Sequence, residues 1–304
     1  MTQLSVVICT HNPRDDYFGR CLAALQGQSL PQDAWELVVV DNLSREPLSG
    51  RLELSWHGRA RIVREETLGL TPARLRGIRE AVGDVLVFVD DDNVLDPDFL
   101  EVARRVTDEK PFLGAWSGQC RPGFETPPPE WTRRYWGNLC IREFEQDVWS
   151  NLPRLAETMP AGAGLCVRRA VAQRYLQLHE EGARGFQFDR TGSSLISGGD
   201  QDLAACACEL GLGVGLIAAL GLEHIIPPGR LTADYLERLN EGIHLSSILL
   251  DAQWGLPATP RSALGKAADH LRVLRLSPPH RGILQAAYRG RDKAIQLLGR
   301  GGAG

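Results

Sequence analysis

The chain has no CxxC pair, and its seven cysteines are an odd number. A zinc-ribbon framework and a fully paired disulfide scaffold are therefore excluded. Several of the cysteines (Cys9, Cys21, Cys120, Cys140, Cys166, Cys206 and Cys208) lie in apolar runs. They read as reduced core residues, which fits the cytoplasm. Nothing approaches the ~20 consecutive apolar residues of a membrane span. The opening run Leu4–Cys9 is too short, and lacks the basic flank, to read as a signal peptide. A formal net charge of −4 gives no general attraction to nucleic acid. There is no phosphate-loop motif, no internal repeat and no low-complexity segment. Gly211-Leu212-Gly213-Val214-Gly215 lacks the spacing of a dinucleotide fingerprint and follows a helix pattern. Cys206-Ala207-Cys208 would point to two faces of a helix, a poor metal site.

What is present is alternation. Leu4–Cys9, Trp35–Val40, Ala60–Arg64 and Asp84–Val89 read as strands. Helical patterns over Tyr17–Gln28 and Thr71–Ala81 lie between them. This order argues for a mainly parallel sheet covered by helices, an α/β fold. Ligands of such sheets collect at the carboxyl ends of strands. Asn12, Asp41 and Asp90-Asp91-Asp92 all fall at such ends. Residues 114–150, with Trp116, Trp131, Trp136, Trp149 and three consecutive prolines, read as a long irregular excursion. Pro160–Val167 reads as an apolar strand. Helices are expected over about 203–210, 232–239, 243–252, 262–276 and 282–298.

Asp90-Asp91-Asp92 ends the apolar run Val85–Val89. Continued strand alternation would turn Asp90 and Asp92 to one side and Asp91 to the other. Two carboxylates on one side suit Mg²⁺ or Mn²⁺, which bridge protein oxygens to phosphates. The competing reading is an acidic turn before a capped helix at Asp96-Pro97-Asp98.

These elements, in this order, resemble the family two glycosyltransferases, which have the GT-A fold. The resemblance rests on Ser5–Asn12, Val38–Asp41, Leu68–Arg74, Gly83–Asp92, Gly162-Ala163-Gly164, Gly198–Leu203, Glu223-His224 and Arg230-Leu231-Thr232. It spans roughly residues 4–240. One departure stands out: the family's base motif commonly reads Glu-Asp, and Gly199 occupies the Glu position. Asp200 keeps the Asp position, with Asp202 two residues on as the alternative. The competing reading is that both carboxylates cap a helix.

The resemblance implies a metal-dependent, inverting transferase that uses a nucleotide-diphospho-sugar, with UDP-sugars favoured. Asp92, with Asp90 or His224, would hold Mn²⁺ or Mg²⁺. Asp200 would be the base, accepting the proton of the acceptor hydroxyl. Thr10, Asn12 and Asp41 would contact the nucleoside, with Asp41 hydrogen-bonding a pyrimidine N–H. Asp90 and Asp91 also belong to the donor site, Gly162 would lie beneath the donor sugar, and Arg74 and Arg230 are phosphate partners. Trp131 and Trp136 are the candidate acceptor wall, because aromatic faces pack on sugar C–H surfaces. The competing reading for each tryptophan is a place in the core.

The acceptor is a growing glycan, a lipid-linked glycan or a small molecule. A small-molecule glycosyltransferase is the alternative within this class. A nucleotidyltransferase and a non-catalytic sugar-binding protein are the rivals outside it. The expected division is a transferase domain over 1–240, with 1–113 as its nucleotide-binding half and 114–240 as its acceptor and catalytic half. A helical extension follows over 241–304. Residues 261–304 carry nine Lys/Arg against two Asp/Glu, which leaves −11 on the rest. Its two helical patterns suit either a peripheral contact with an anionic membrane or packing on the acidic body. A homo-oligomer also stays open.

Overall fold

The computed structural model describes residues 3–186, 188–189 and 195–301, the last two without their side chains. The chain divides into two compact units, interleaved in sequence. The first comprises residues up to Phe124, Cys140–Ala183 and Gly199–Ile226. The second comprises Glu125–Leu139, Arg184–Gly198 and Pro227 onward.

The first unit is built on β1 (Leu4–Thr10), α1 (Asp15–Gln26), β2 (Trp35–Asn42), β3 (Ala60–Glu65), α2 (Leu70–Glu80) and β4 (Val85–Val89). It continues with β5 (Asn93–Leu95), α3 (Phe99–Glu109), β6 (Leu113–Phe124), β7 (Val148–Ser150), β8 (Leu165–Arg168), α4 (Arg169–Glu180), α5 (Gly199–Glu209) and β9 (Gly213–Ile226). The nine strands form one mixed sheet in the order β3-β2-β1-β4-β8-β6-β9-β5, with β7 paired to β9. The β3-β2-β1-β4 half is parallel. β1, β2 and β4 are buried on both faces, as in a sheet covered by helices, whereas the edge strand β3 carries Arg61, Arg64 and Glu65 and is half-buried throughout. β8 then runs antiparallel to β4 and to β6.

Register lines up the strand ends. Thr10 pairs with Asp41, and Ile8 with Val89. The polar residues that follow these strands therefore share one edge of the sheet. Helix α2 lies unusually close to β1, since a Cβ on Gly77 would come 2.4 Å from Val7 Cγ1. That approach fixes the helix carrying Arg74 one turn earlier.

The structure corrects three local expectations. The stretch 114–150 is not one irregular excursion: it opens with the twelve-residue strand β6, on which Trp116 is fully buried. Residues 160–164 are a turn rather than a strand, and β8 begins at Leu165. Gly164 sits at φ +67°, a left-handed value that interrupts extended backbone. Asp91 and Asp92 lie in a turn, closed by the Asn93 N–H on the Asp90 carbonyl at 3.0 Å. Strand alternation therefore does not govern the three aspartates.

The second unit holds α6 (Ala233–Gln253), α7 (Ala263–Leu274) and α8 (Pro278–Gly301). Two helices were expected over 232–252, and α6 runs through as one. Its Asn240 donates to the Leu236 carbonyl at 2.8 Å and accepts from Asn138 at 3.0 Å. Gly242 is no break, because a Cβ there would meet the Leu195 carbonyl oxygen at 2.4 Å. The glycine admits a neighbouring segment. Helix α8 packs on α6 through small residues: Ala286, Ala287 and Ala294 are buried, and a Cβ on Gly290 would come 2.2 Å from the Glu241 carbonyl oxygen. Phe188, Leu249, Leu250 and Ala294 form its apolar centre. Among the described residues, no helix is long and apolar enough to cross a membrane.

Candidate active site

The site grows from the turn between β4 and β5. Thr10, the last residue of β1, donates its hydroxyl to the Asp91 carboxylate. Asp91 is thereby held towards the parallel half of the sheet. The Asp92 side faces β9 instead. The Ile225 N–H donates to the Asp92 carbonyl at 2.9 Å, and Asn93 on β5 pairs with His224 on β9. This register sets His224 Nε2 3.4 Å from Asp92 Oδ2, with both residues buried.

Asn93 is a residue the sequence reading missed. It is fully buried. Its Nδ2 donates to Asp92 Oδ1 at 3.2 Å, and its Oδ1 accepts from the Asp90 N–H at 3.3 Å. One amide therefore holds both the backbone of the turn and the carboxylate that faces His224. The signal available in sequence was a short amide side chain directly after the acidic run.

The structure pairs Asp92 with His224 but does not add Asp90 to them as a third ligand. Among the described residues no group of three or more His, Cys, Asp or Glu side chains is placed to hold an ion. A carboxylate and an imidazole still suit Mg²⁺ or Mn²⁺, which is commonly bound by one or two protein groups with substrate phosphates completing the shell. The donor set fits a divalent ion shared with a diphosphate.

Asp41 ends β2, buried and densely bonded. Its Oδ1 accepts from the Ser44 N–H at 2.9 Å; its Oδ2 accepts from the Leu48 N–H at 3.1 Å and from Arg64 Nη1 at 2.8 Å. Burial opposes its ionisation, but the bonds from Ser44 and Leu48 and the Arg64 charge outweigh it and hold its carboxyl below the usual range. Arg64, opposite Asp41 in the β2–β3 register, is a second residue missed in the sequence. Asn12 takes a left-handed φ of +50° and knits two loops together. Its N–H donates to Ser44 Oγ at 2.9 Å, and its Oδ1 accepts from the Arg45 N–H at 2.9 Å.

Three further candidates converge at Gly162. A Cβ added there would lie 3.0 Å from Asp200 Oδ2 and 3.2 Å from Arg74 Nη2. The missing side chain makes room for a carboxylate from the start of α5 and a guanidinium from α2. Asp200 is half-buried, whereas Asp202 is 1% exposed. Close by, Cys140 is held at φ +68°. A hydrogen bond with the Cys120 thiol, opposed by burial and aided by His224 and Arg142, lowers the Cys140 thiol to about 7. Asp200 acts on the same thiol in the opposite sense. His224 and Asp200 thus share one electrostatic neighbourhood.

Arg230, Trp131 and Trp136 belong to the second unit. Arg230 lies on the short turn Pro228–Leu231 before α6. Trp131 and Trp136 lie on the 3-10 segment Glu130–Leu139, both half-buried. Trp131 stands edge-on to Tyr135 and His280, with ring centroids 6.3 and 6.1 Å away. Trp136 Nε1 donates to Thr132 Oγ1 at 3.2 Å.

The chain is similar to known glycosyltransferases. The putative glycosyltransferase EpsH of Bacillus subtilis is 26% identical over 112 residues, which are 36% of this chain and 32% of that protein. A probable N-acetylgalactosaminyltransferase 9 of Caenorhabditis elegans is 32% identical over 98 residues, 30% of this chain and 17% of that one. The matched segment therefore spans a third or less of these relatives. Among solved structures, S. aureus TarS 1-349 in complex with UDP-GlcNAc superposes with a TM-score of 0.54 at 16% identity, covering 97% of this chain and 92% of that one. The shared architecture is the GT-A fold. The ends of β1, β2 and β4 and the acidic turn lie within the segment matched by one family model, and Gly162 is its last residue; Asp200 and His224 lie beyond it. With residues 5–162 matching the model of Glycosyl transferase family 2, the chain belongs to that family.

Proposed function

We propose that this protein transfers a sugar from a nucleotide-diphospho-sugar, a UDP-sugar in the first instance, to an acceptor hydroxyl with inversion and metal assistance. The observation that carries the reading is the buried Asp92–His224 pair at the strand ends. Asp92 and His224 would hold Mg²⁺ or Mn²⁺. When bound, the ion supplies Lewis-acid stabilisation of the diphosphate leaving group. Arg74 adds positive charge from the Gly162 side, where a fixed guanidinium is worth more than in water. Arg230 is a further phosphate partner.

Asp200 is the general base. Being half-buried at the first turn of α5, it is open to an acceptor, which the buried Asp202 is not. It takes the hydroxyl proton as the acceptor oxygen attacks the anomeric carbon opposite the departing diphosphate. Gly162 leaves the space for the donor sugar beside that carboxylate.

Asp41 reads the nucleobase. An ionised carboxylate offers about four acceptor positions. The Ser44 and Leu48 N–H groups and Arg64 occupy three, and the Ser44 hydroxyl bonds the carboxylate as well, so a pyrimidine N–H would take the place of that hydroxyl. Thr10 and Asn12 shape the same rim through Asp91 and Ser44. That TarS has been crystallised with UDP and with UDP-GlcNAc makes UDP-GlcNAc the first donor to test. The acceptor is a glycan or lipid-linked glycan, with Trp131 and Trp136 as its aromatic wall. A lipid-linked acceptor would require work at a membrane surface.

A nucleotidyltransferase would need a glycine- and base-rich loop after β1. Here the Thr10 and Asn12 side chains are spent on protein partners. Release of nucleoside diphosphate from a donor panel tests the proposal. The expected result is release from one UDP-sugar, abolished by Asp200→Asn. Release of pyrophosphate from a nucleoside triphosphate instead would favour the nucleotidyltransferase.

A further inference from the structure

The two basic C-terminal helices look alike in sequence but are used differently. Helix α8 spends its apolar stripe on α6, through buried Ile283, Ala286, Ala287 and Ala294. Its cations Arg289 and Lys293 are paired with Glu241. Helix α7 is held by its opposite edge. Val273 is buried at 3% exposure, and Asp269 turns inward to an ion pair with Arg261. The Arg261 guanidinium in turn lies 4.0 Å over the Tyr288 ring.

With that edge fixed, 3.6 residues per turn point Leu264, Ala267, Ala268, Leu271 and Leu274 the other way. Leu264 is 84% exposed, Leu271 58% and Leu274 55%. A soluble surface helix normally presents the reverse arrangement. Arg272 and Arg275 border this stripe, both exposed, and neither makes an ion pair among the described residues. The single carboxylate of α7 is the inward Asp269.

We infer that α7 is a docking surface for an anionic lipid bilayer, with Leu264, Leu271 and Leu274 entering the headgroup boundary and Arg272 and Arg275 meeting lipid phosphates. An apolar stripe bordered by Lys/Arg is the arrangement that lies in a membrane interface. A second copy of the chain fits less well. A two-fold contact places the same patch against itself. It would set these cations against their counterparts, with no outward carboxylate on α7 to pair them. Each Lys/Arg near an anionic surface contributes roughly fivefold to partitioning, so two contribute about 25-fold. The inference concerns binding alone and stands whether or not the chain transfers sugar.

The test is co-sedimentation of the full chain with phosphatidylglycerol-containing vesicles and with pure phosphatidylcholine vesicles, at low and high salt. The protein is expected to pellet with the anionic vesicles at low salt and to remain soluble with the neutral ones. Leu264→Ser with Leu271→Ser should abolish pelleting without lowering Tm, because both side chains are already in water. Arg272→Gln and Arg275→Gln together should weaken anionic binding about 25-fold. Absence of vesicle binding by the parent protein would overturn the inference, as would binding unchanged in both sets of variants. So would a concentration-dependent dimer that the double serine variant dissolves, since the face would then belong to a second copy.

Discussion

His224 Nε2 and Asp92 Oδ2 approach to 3.4 Å although Asp92 lies in the turn between β4 and β5 and His224 on β9. The antiparallel pairing of β5 with β9 makes the approach possible, by setting Asn93 opposite His224. Neither residue is a distinctive ligand alone. Together, at the edge where β1, β2 and β4 also end, they form a two-donor face that a diphosphate can complete.

Asn93→Ala tests how that face is held. The substitution removes the donor to Asp92 and leaves the Asp90 N–H without its partner. A buried unsatisfied group costs about 1–3 kcal/mol, and a drop of that size is expected in urea unfolding. Mn²⁺-dependent UDP binding should fall further than the stability loss explains. Equal UDP affinity in the variant would make Asn93 a purely structural residue.

Asp200→Asn should keep donor binding and lose transfer by ~10²–10⁴-fold, the usual size of a general-base contribution. Asp202→Asn should act mainly on stability, since Asp202 is buried. A larger catalytic loss at Asp202 would reverse the assignment.

Gly162→Ala places a methyl group 3.0 Å from Asp200 Oδ2 and 3.2 Å from Arg74 Nη2. One or both side chains must shift by a few tenths of an ångström. A displacement of about 1 Å can cost ~10²-fold, so a loss of kcat of about tenfold is expected with little change in Tm. Full activity would mean that the two groups are not held against the reacting sugar.

Stability should also depend on Asp41 at low pH. Its folded pKa lies below that of an ordinary aspartate. The unfolded chain therefore binds this proton more readily. The contribution is fully present above about pH 4 and is lost as pH falls through the folded pKa. Urea unfolding across the acid range should show Asp41→Asn flattening this part of the profile. A slope unchanged from the parent would mean that Asp41 contributes nothing to it.

The parallel half of the sheet was legible because β1, β2 and β4 are continuous apolar runs that end in polar turns. Asp92, His224 and Asp200 were named through ordered motifs, not through any visible contact. Arg64 and Asn93 stayed hidden because their importance lies in strand register, which connects residues distant in sequence. Two helices were expected where α6 runs through as one, and the Leu195 backbone beside Gly242 explains the glycine within it. Strand β6 was obscured by the tryptophans and prolines around it. The alternation expected at Asp90–Asp92 failed because the backbone turns there, and only β5 pairing with β9 directs Asp92 towards His224.

The most direct measurement is the Tm of the protein across a UDP titration with Mn²⁺ and with EDTA, for the parent chain, Asp92→Ala and His224→Ala. Ligand binding to the folded state stabilises in proportion to the logarithm of concentration over Kd. The account predicts a rising Tm for the parent with Mn²⁺, and little or no rise with EDTA or in either variant. No rise with UDP under any condition, or the same rise in both variants as in the parent, would contradict it.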